Sequence, residues 1–216
     1  MNPPAKPSLR FTAPALRSKV HRAVFGTALA GALSLAGCAA EPEIPPEPPL
    51  AGADIGGNFE LTNSAGETVR WSDFEGQYRI VYFGFTFCPD ICPTDVQRMT
   101  QGLNIASENA PDLAYKITPI FISIDPQRDT PEIVGEFTSA FSDRLIGLTG
   151  TPEQIETAAS AFKVAYSKGE DTPGGGYLMN HSTLTYLFGP EGEPLATLPT
   201  DLGPEAVAAE IELWAS

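Results

Sequence analysis

Strand-length apolar runs alternate with amphipathic segments along most of the chain. The runs RIVYFGF and KITPIFISID are apolar without alternation, which is typical of strands buried on both faces, and RLIGLTG predicts a short third strand. Between and after them, the segments Thr94 to Glu108, DTPEIVGEFTSAF and TPEQIETAASAFKVAY have helical spacing, and each has a proline at or just before its first turn. This alternation predicts an α/β sheet with crossover connections.

The sequences before and after these alternating segments each predict a pair of antiparallel strands. NFELTNSAGETVRWSDF, which begins at Asn58, alternates on both sides of NSAG and predicts a hairpin, and DTPGGGY predicts a loop. STLTYLFGPEGEPLATLP predicts two strands joined too tightly for a crossover, and GPEAVAAEIELWA predicts a closing helix. With a cysteine pair directly after an early strand, the predicted fold is thioredoxin-like: a mixed sheet flanked by helices, with an N-terminal hairpin extension.

The first 57 residues have a different character. A basic region precedes the uncharged run AVFGTALAGALSLA, which is short for a membrane span of about 20 residues and is typical of a secretory signal. The run ends in Leu-Ala-Gly-Cys, similar to a bacterial lipobox, so we expect residues 1–37 to be removed and Cys38 to be lipidated. The alternative is ordinary cleavage after Ala40, with loss of Cys38. Residues 38–57 are Pro-rich and acidic and predict an extended tether to a domain over 58–216.

The charge of the chain limits its partners. The net charge is −14, and removal of the signal with five of the 13 basic residues would leave eight against 27 acidic residues, or −19. Such a surface repels nucleic acid and anionic lipid headgroups, so we expect no nucleic-acid partner and a membrane contact made by lipid rather than by charge. Export also places cysteine pairs where they tend to be oxidised.

Two of the three cysteines, Cys88 and Cys92, lie four residues apart in YFGFTFCPDICPTDV. At the start of a helix their sulfurs can bond to each other or share a metal, and the helix N-terminus is expected to lower the pKa of the thiols. A purely structural disulfide across so small a loop would add little stability. The spacing leaves metal binding and redox chemistry open, since dithiol oxidoreductases use a Cys-x-x-Cys spacing that is one residue tighter.

One histidine, His181, follows the signal, in GGGYLMNHSTLTYLF on a predicted loop before a strand. A single histidine is more often a surface or core residue than a ligand. Together with two thiolates, however, an imidazole forms a three-coordinate soft site that suits Cu(I), and imidazole also accepts Cu(II). Zinc would need a fourth ligand, and Met179 could offer only a thioether, although a methionine there is more often a gap-filler.

Four motifs, in order along the chain, resemble the Sco family, also called SenC: FGFTFCPDICPTDVQRM, ISIDPQRDTPE, LIGLTGTPEQI and NHSTLTYLF. The resemblance covers Phe59 to the C-terminus. It implies a thioredoxin-like, membrane-anchored protein that binds copper through Cys88, Cys92 and His181. It further implies delivery of copper to the dinuclear copper site of cytochrome c oxidase subunit II, at the periplasmic side of the bacterial cytoplasmic membrane. A copper donor or thiol reductant would be a further partner, not identified by the sequence.

Three points stay open at this stage. The resemblance also allows a thiol–disulfide reductase, in which Cys88 or Cys92 attacks a disulfide of that oxidase site and the other thiol resolves it. The family usually has Asp before the histidine, where this chain has Asn180, which puts the tuning of the site in doubt. Finally, the motif SIDPQRDTP either brings Asp125 and Arg128 to the cysteine edge of the sheet or merely caps a turn and helix.

Overall fold

Nine strands and five α-helices are found in the described residues, 47–172 and 175–215 of this computed structural model. The strands are β1 Glu60–Asn63, β2 Thr68–Arg70, β3 Tyr78–Gly84, β4 Ile117–Ser123, β5 Ile146–Thr149, β6 Tyr166–Asp171, β7 Tyr177–His181, β8 Thr185–Phe188 and β9 Pro194–Leu198. The helices are α1 Ile91–Asn109, α2 Pro111–Ala114, α3 Pro131–Ser139, α4 Pro152–Ala161 and α5 Pro204–Trp214.

Seven of the strands form one mixed sheet in the order β2-β1-β5-β4-β3-β8-β9. Strands β3, β4 and β5 are parallel, while β1 and β8 join them antiparallel, which confirms the predicted combination of crossover units with antiparallel pairs. The predicted N-terminal hairpin is β1–β2 and the predicted C-terminal one is β8–β9. The mixed sheet flanked by helices agrees with the predicted thioredoxin-like fold.

The core lies on both faces of β3 and β4. Ile80, Val81, Tyr82 and Phe83 are consecutive and fully buried. Tyr82 reaches Asp95 of α1, while the ring of Phe83 packs 5.3 Å from that of Phe162. Burying a run of this kind removes several large apolar side chains from water, at about 1.5–3 kcal/mol each. This buried run holds the end of β3 in a fixed position, and the chain then turns into α1 with the cysteine pair.

The hairpin β6–β7 is the main difference from the sequence prediction. It forms a separate two-stranded sheet, and its second strand ends at His181, which we had expected on a loop. No residue of either strand is buried, so the hairpin has no apolar alternation that the sequence could reveal. The helix predicted to continue to Tyr166 ends at Ala161, and Lys163 has a left-handed φ of 56° that breaks the helical path.

The N-terminal part of the described chain follows the surface of the domain. Leu50 donates its N–H to the Leu195 carbonyl at 2.9 Å, and Gly56 donates to Ala161 at 3.0 Å. Leu50 and Ile55 also pack against the core, so part of the predicted tether contacts the domain. The signal segment 1–37 and the lipidation residue Cys38 lie outside the described residues. Within the described ranges, no helix has the length and apolar character that crossing a membrane requires.

Candidate metal centre

The cysteine pair occupies the turn from β3 into α1. The N–H of Cys88 donates to the Phe85 carbonyl at 3.2 Å, which closes the turn, and α1 begins at Ile91 rather than at the predicted Thr94. Cys92 therefore lies in the first helical turn, where it is buried, while Cys88 is half-buried outside the helix. Both thiols are free, and the Cys92 N–H donates to the Cys88 Sγ at 3.4 Å.

His181, the last residue of β7, lies beside this turn. Its Nε2 lies 3.4 Å from the Cys92 Sγ, and its Nδ1 lies 2.8 Å from the carbonyl oxygen of the following residue, Ser182. A carbonyl oxygen can only accept, so the hydrogen of the neutral ring sits on Nδ1. The lone pair of Nε2 consequently faces the sulfur, the arrangement in which a histidine is ready to bind a metal.

Aromatic rings fix the orientation of the imidazole. Tyr82 and Phe85 both meet it edge-on, with ring centroids at 6.3 Å and 5.9 Å and interplanar angles of 86° and 89°. Tyr82 also donates its hydroxyl to Asp95 Oδ2 at 3.2 Å, so this carboxylate lies behind the site. Neither residue could be predicted from the sequence, because Tyr82 lies within the buried run of β3 and Asp95 is one of many polar residues of α1.

Burial dominates the electrostatics of the site. It raises the pKa of the Cys92 thiol above its ordinary value, with the Phe85 backbone opposing, so the predicted lowering of thiol pKa values by the helix N-terminus is wrong for Cys92. Burial also lowers the pKa of His181, while the Ser182 carbonyl and Asp95 act in the opposite direction. The imidazole is accordingly neutral at pH 7 and able to bind a metal.

Of the three predicted ligands, the structure brings Cys92 and His181 together and places Cys88 beside Cys92. No group of three or more His, Cys, Asp or Glu side chains in the described part of the chain is arranged as a complete metal site. Even for an ion as small as zinc, the bonds are about 2.3 Å to sulfur and about 2.0 Å to nitrogen. The 3.4 Å between Sγ and Nε2 is less than their sum, so both atoms can reach one ion. The third predicted ligand, Cys88, lies next to this pair, with its Sγ accepting the Cys92 N–H.

The motif SIDPQRDTP does reach the cysteine edge of the sheet. Asp129 is buried and accepts from the Thr86 N–H at 3.0 Å, the Thr86 hydroxyl at 2.6 Å and the Ser123 hydroxyl at 2.5 Å, which ties the turn before Cys88 to the end of β4. Burial raises the pKa of Asp129. The cap of α3 is instead Thr130, whose side chain accepts from the Ile133 N–H. Of the two residues predicted to approach this edge, Arg128 reaches it, with its guanidinium carbon 4.9 Å from the ring centroid of Phe87, and Asp125 forms an ion pair with Arg128.

Asn180 and Met179 lie outside the immediate site. Asn180 is exposed and donates its side-chain amide to Ser167 Oγ at 3.4 Å across the hairpin. Since neighbouring strand residues point to opposite faces, Asn180 faces away from the side of β7 that carries His181. Met179 is partly buried and packs against the core, as expected for a residue that fills a gap.

Comparison with known proteins gives consistent matches. The family model SCO1/SenC matches residues 47–216. The chain is 43% identical to the human protein SCO1 homolog, mitochondrial, over 64% of this chain and 46% of that protein. It is 41% identical to protein SenC of Rhodobacter capsulatus, over 74% of this chain and 71% of SenC. It thus aligns with less than half the length of the human relative.

A solved structure has the same fold as this chain. It is described as Bradyrhizobium japonicum ScoI with copper bound. It matches with a TM-score of 0.66 and 33% identity, over 74% of this chain and 99% of that chain.

Proposed function

The chain belongs to the SCO1/SenC family, and on this premise we propose that it is a copper chaperone, with Cys88, Cys92 and His181 as the ligands of the copper ion it carries. Copper is cargo here rather than a resident cofactor. The copper-bound ScoI structure supports the choice of metal, and the soft donor set of two thiolates and one imidazole suits Cu(I). The observation that carries the proposal is the pairing of Cys92 Sγ with the free lone pair of His181 Nε2 at 3.4 Å.

The unequal burial of the two thiols suggests how copper is released. Cys92 and His181 bind from the inner side of the site, whereas Cys88 is half-buried and accessible to a partner. A thiolate of the recipient displaces Cys88 from the ion first, and Cys92 and His181 follow. Only ligands are exchanged in these steps, so the oxidation states of copper and sulfur stay the same and no turnover chemistry is needed.

The recipient in this proposal is the dinuclear copper site of cytochrome c oxidase subunit II. Lipidation of Cys38 would anchor the protein to the periplasmic side of the bacterial cytoplasmic membrane, and residues 38–57 would connect the anchor to the domain over 58–216. Support comes from the lipobox-like sequence and from the charge of −19 that would remain after removal of residues 1–37, which leaves little attraction to anionic lipid. Metabolic labelling with a radioactive fatty acid tests the anchor, since Cys38→Ala should abolish the label.

The test of the copper site is a titration of the fully reduced protein with Cu(I) against a competing chelator. We expect one ion per chain, and binding that weakens by at least about tenfold in His181→Ala, equivalent to about 1.4 kcal/mol. Leu178→Ala is the matched control, because this residue of the same strand is 42% exposed and leaves the site intact. Cu(I) binding by Cys88→Ala that is as tight as that of the wild type would refute the assignment of the ligands.

A thiol–disulfide reductase is the second candidate, and the free thiols favour it. Cys88 is the accessible thiol that could attack a partner disulfide, and Cys92 is the buried thiol that would resolve the mixed disulfide. The products would be a Cys88–Cys92 disulfide and two thiols on the partner. His181 takes no part in this exchange, so a His181→Ala protein that supports oxidase assembly as well as the wild type favours the reductase. Failure of assembly in that variant, with disulfide exchange intact, favours the chaperone.

A further inference from the structure

Arg128, in the loop between β4 and α3, touches both segments that carry the candidate ligands. Its Nε donates to Asp125 Oδ2 at 2.5 Å, and its Nη1 donates to the carbonyl oxygen of Tyr177 at 2.8 Å. Its guanidinium carbon lies 3.7 Å from the ring centroid of Tyr177 and 4.9 Å from that of Phe87. Tyr177 is the first residue of the strand that ends at His181, and Phe87 directly precedes Cys88.

The geometry of Arg128 is specific to a guanidinium. One planar group donates two hydrogen bonds while its carbon also lies over the rings of Phe85, Phe87 and Tyr177, which an ammonium cannot reproduce. Tyr177 closes the arrangement, since its hydroxyl donates to the second oxygen of Asp125 at 2.8 Å. The Asp125 side chain is only 3% exposed and that of Arg128 21%, so solvent weakens this ion pair less than it weakens a pair on the open surface.

The hairpin β6–β7 needs such a fastening. A two-stranded hairpin is only marginally stable on its own, and this one does not pair with the seven-stranded sheet. Its side chains that pack against the core, Tyr166 and Met179, are only partly buried. His181, at its end, nevertheless has to stay close to Cys92. A hairpin that opens and closes would leave the imidazole in place for only part of the time and would reduce the apparent metal affinity by that fraction.

We propose that Arg128 is a positioning residue that fastens the β6–β7 hairpin to the turn before Cys88 and so holds His181 in place before the metal arrives. It acts through Tyr177 and Phe87 and is not itself a ligand. The proposal rests on the proposed function for its consequence in copper binding. Its structural part, a hairpin held closed by Arg128, concerns the metal-free protein and can be measured without copper.

The first test is hydrogen–deuterium exchange of the reduced, metal-free protein. In Arg128→Gln we expect the amides of Tyr177–His181 to exchange at least about tenfold faster, while the amides of β3 and β4 keep their wild-type rates. Arg128→Lys keeps the charge but not the two-edged contact, so it should show the same local increase. If Arg128→Gln proves too unstable to fold, the exchange rates of Arg128→Lys test the proposal in its place.

Lys168→Gln is the matched control for this exchange experiment. Lys168 is also a cation over the Tyr177 ring, at 4.4 Å from the centroid, but its salt bridge is to Asp171 within the hairpin itself. Its loss removes one positive charge from the same ring without freeing the hairpin from the domain. Wild-type exchange in Arg128→Lys, or an equal increase in Lys168→Gln, would overturn the proposal.

A double-mutant cycle connects the hairpin to the metal site. Arg128→Lys should weaken Cu(I) binding by about fivefold to tenfold in the wild-type background and by less than about twofold in the His181→Ala background, because only the first has an imidazole to position. Equal losses in the two backgrounds would mean that Arg128 does not act through His181. If the wild type bound no copper, the proposed function would fail, and the exchange experiment alone would decide whether Arg128 fastens the hairpin.

Discussion

The Nε2 atom of His181 lies 3.4 Å from the Sγ of Cys92, although 89 positions separate the two residues along the chain. The N-terminal turn of a helix positions the sulfur, and the end of a surface hairpin positions the imidazole. The sulfur is therefore held by the core, whereas the imidazole depends on contacts made by an otherwise exposed pair of strands. This difference determines which substitutions should affect metal binding and which should affect only stability.

The two thiols should react at very different rates in the metal-free protein. The thiolate is the reactive form, and burial both raises the pKa of Cys92 and blocks access to it, while Cys88 is half-buried. We expect iodoacetamide to modify Cys88 at least about tenfold faster than Cys92, as measured by mass spectrometry of peptides after timed quenching. Denatured protein is the control, in which the two rates should converge. Faster modification of Cys92 in the folded state would contradict the burial described here.

Acid should weaken the contribution of His181 to the stability of the metal-free protein. The pKa of His181 in the folded protein lies below its ordinary value of 6.5, chiefly because of burial, so just below pH 6.5 the unfolded chain binds more protons. The contribution of the neutral ring is then fully present above pH 6.5 and is lost as the pH falls through the folded-state pKa.

Urea unfolding of the wild type and His181→Ala at several pH values measures this effect. The difference in the free energy of unfolding between the two proteins should shrink between about pH 7 and about pH 5, and the ionisations that the two proteins share cancel in that difference. A difference that stays constant or grows on acidification would show that the pKa of the ring is not lowered.

The sequence predicted the strands of the main sheet and the helices that flank it, but it missed the separate β6–β7 hairpin. Strands β3 and β4 were predicted because continuous apolar runs of strand length are typical of strands buried on both faces. Cys88 and Cys92 were correctly predicted at the turn between β3 and α1. The β6–β7 hairpin was missed because neither strand has a buried face, so its sequence lacks the apolar alternation that predicts a strand. Its consequences were missed with it: the position of His181 on a strand and the contact of Arg128 with Tyr177.

The electrostatic outcome at Cys92 also could not be predicted from the sequence. The position of this cysteine in the first turn of α1 suggested a lowered pKa, and that effect of the helix terminus is modest and local. Burial depends on which distant residues cover the thiol, and those residues, including Tyr82 and His181, come from other elements. Tertiary packing therefore decided the sign of the shift.

Gly84, at the end of β3, should be intolerant of even one added methyl group. A Cβ at this position would lie 2.8 Å from the Tyr82 ring, 3.0 Å from the Phe121 ring and 3.2 Å from the Cys92 Sγ. We expect Gly84→Ala to cost about 1–3 kcal/mol of stability in urea unfolding, because crowding a packed core forces its side chains to move. It should also weaken Cu(I) binding in a competition titration, since the displaced groups include a ligand and a neighbour of His181.

Gly102→Ala separates the two effects of Gly84→Ala. A Cβ on this residue of α1 would lie 2.5 Å from Val207 Cγ1, away from the metal site. The two variants should therefore lose comparable stability, but only Gly84→Ala should lose copper affinity. Equal loss of copper affinity in both would mean that it follows general destabilisation rather than displacement of Cys92.

Asn180→Asp should change copper binding very little, although residue 180 directly precedes a candidate ligand. The side chain is exposed, contacts Ser167, and lies on the face of β7 opposite to that of His181. A carboxylate there is screened by water and salt, so we expect a change in Cu(I) affinity of less than about twofold in 0.1 M salt. Repeating the titration at about 0.01 M salt, where the Debye length is about 30 Å, tests whether any remaining effect is electrostatic. A gain of tenfold or more that persists at high salt would show that an acid at this position contacts the imidazole or the ion directly, and that the hairpin rearranges when copper binds.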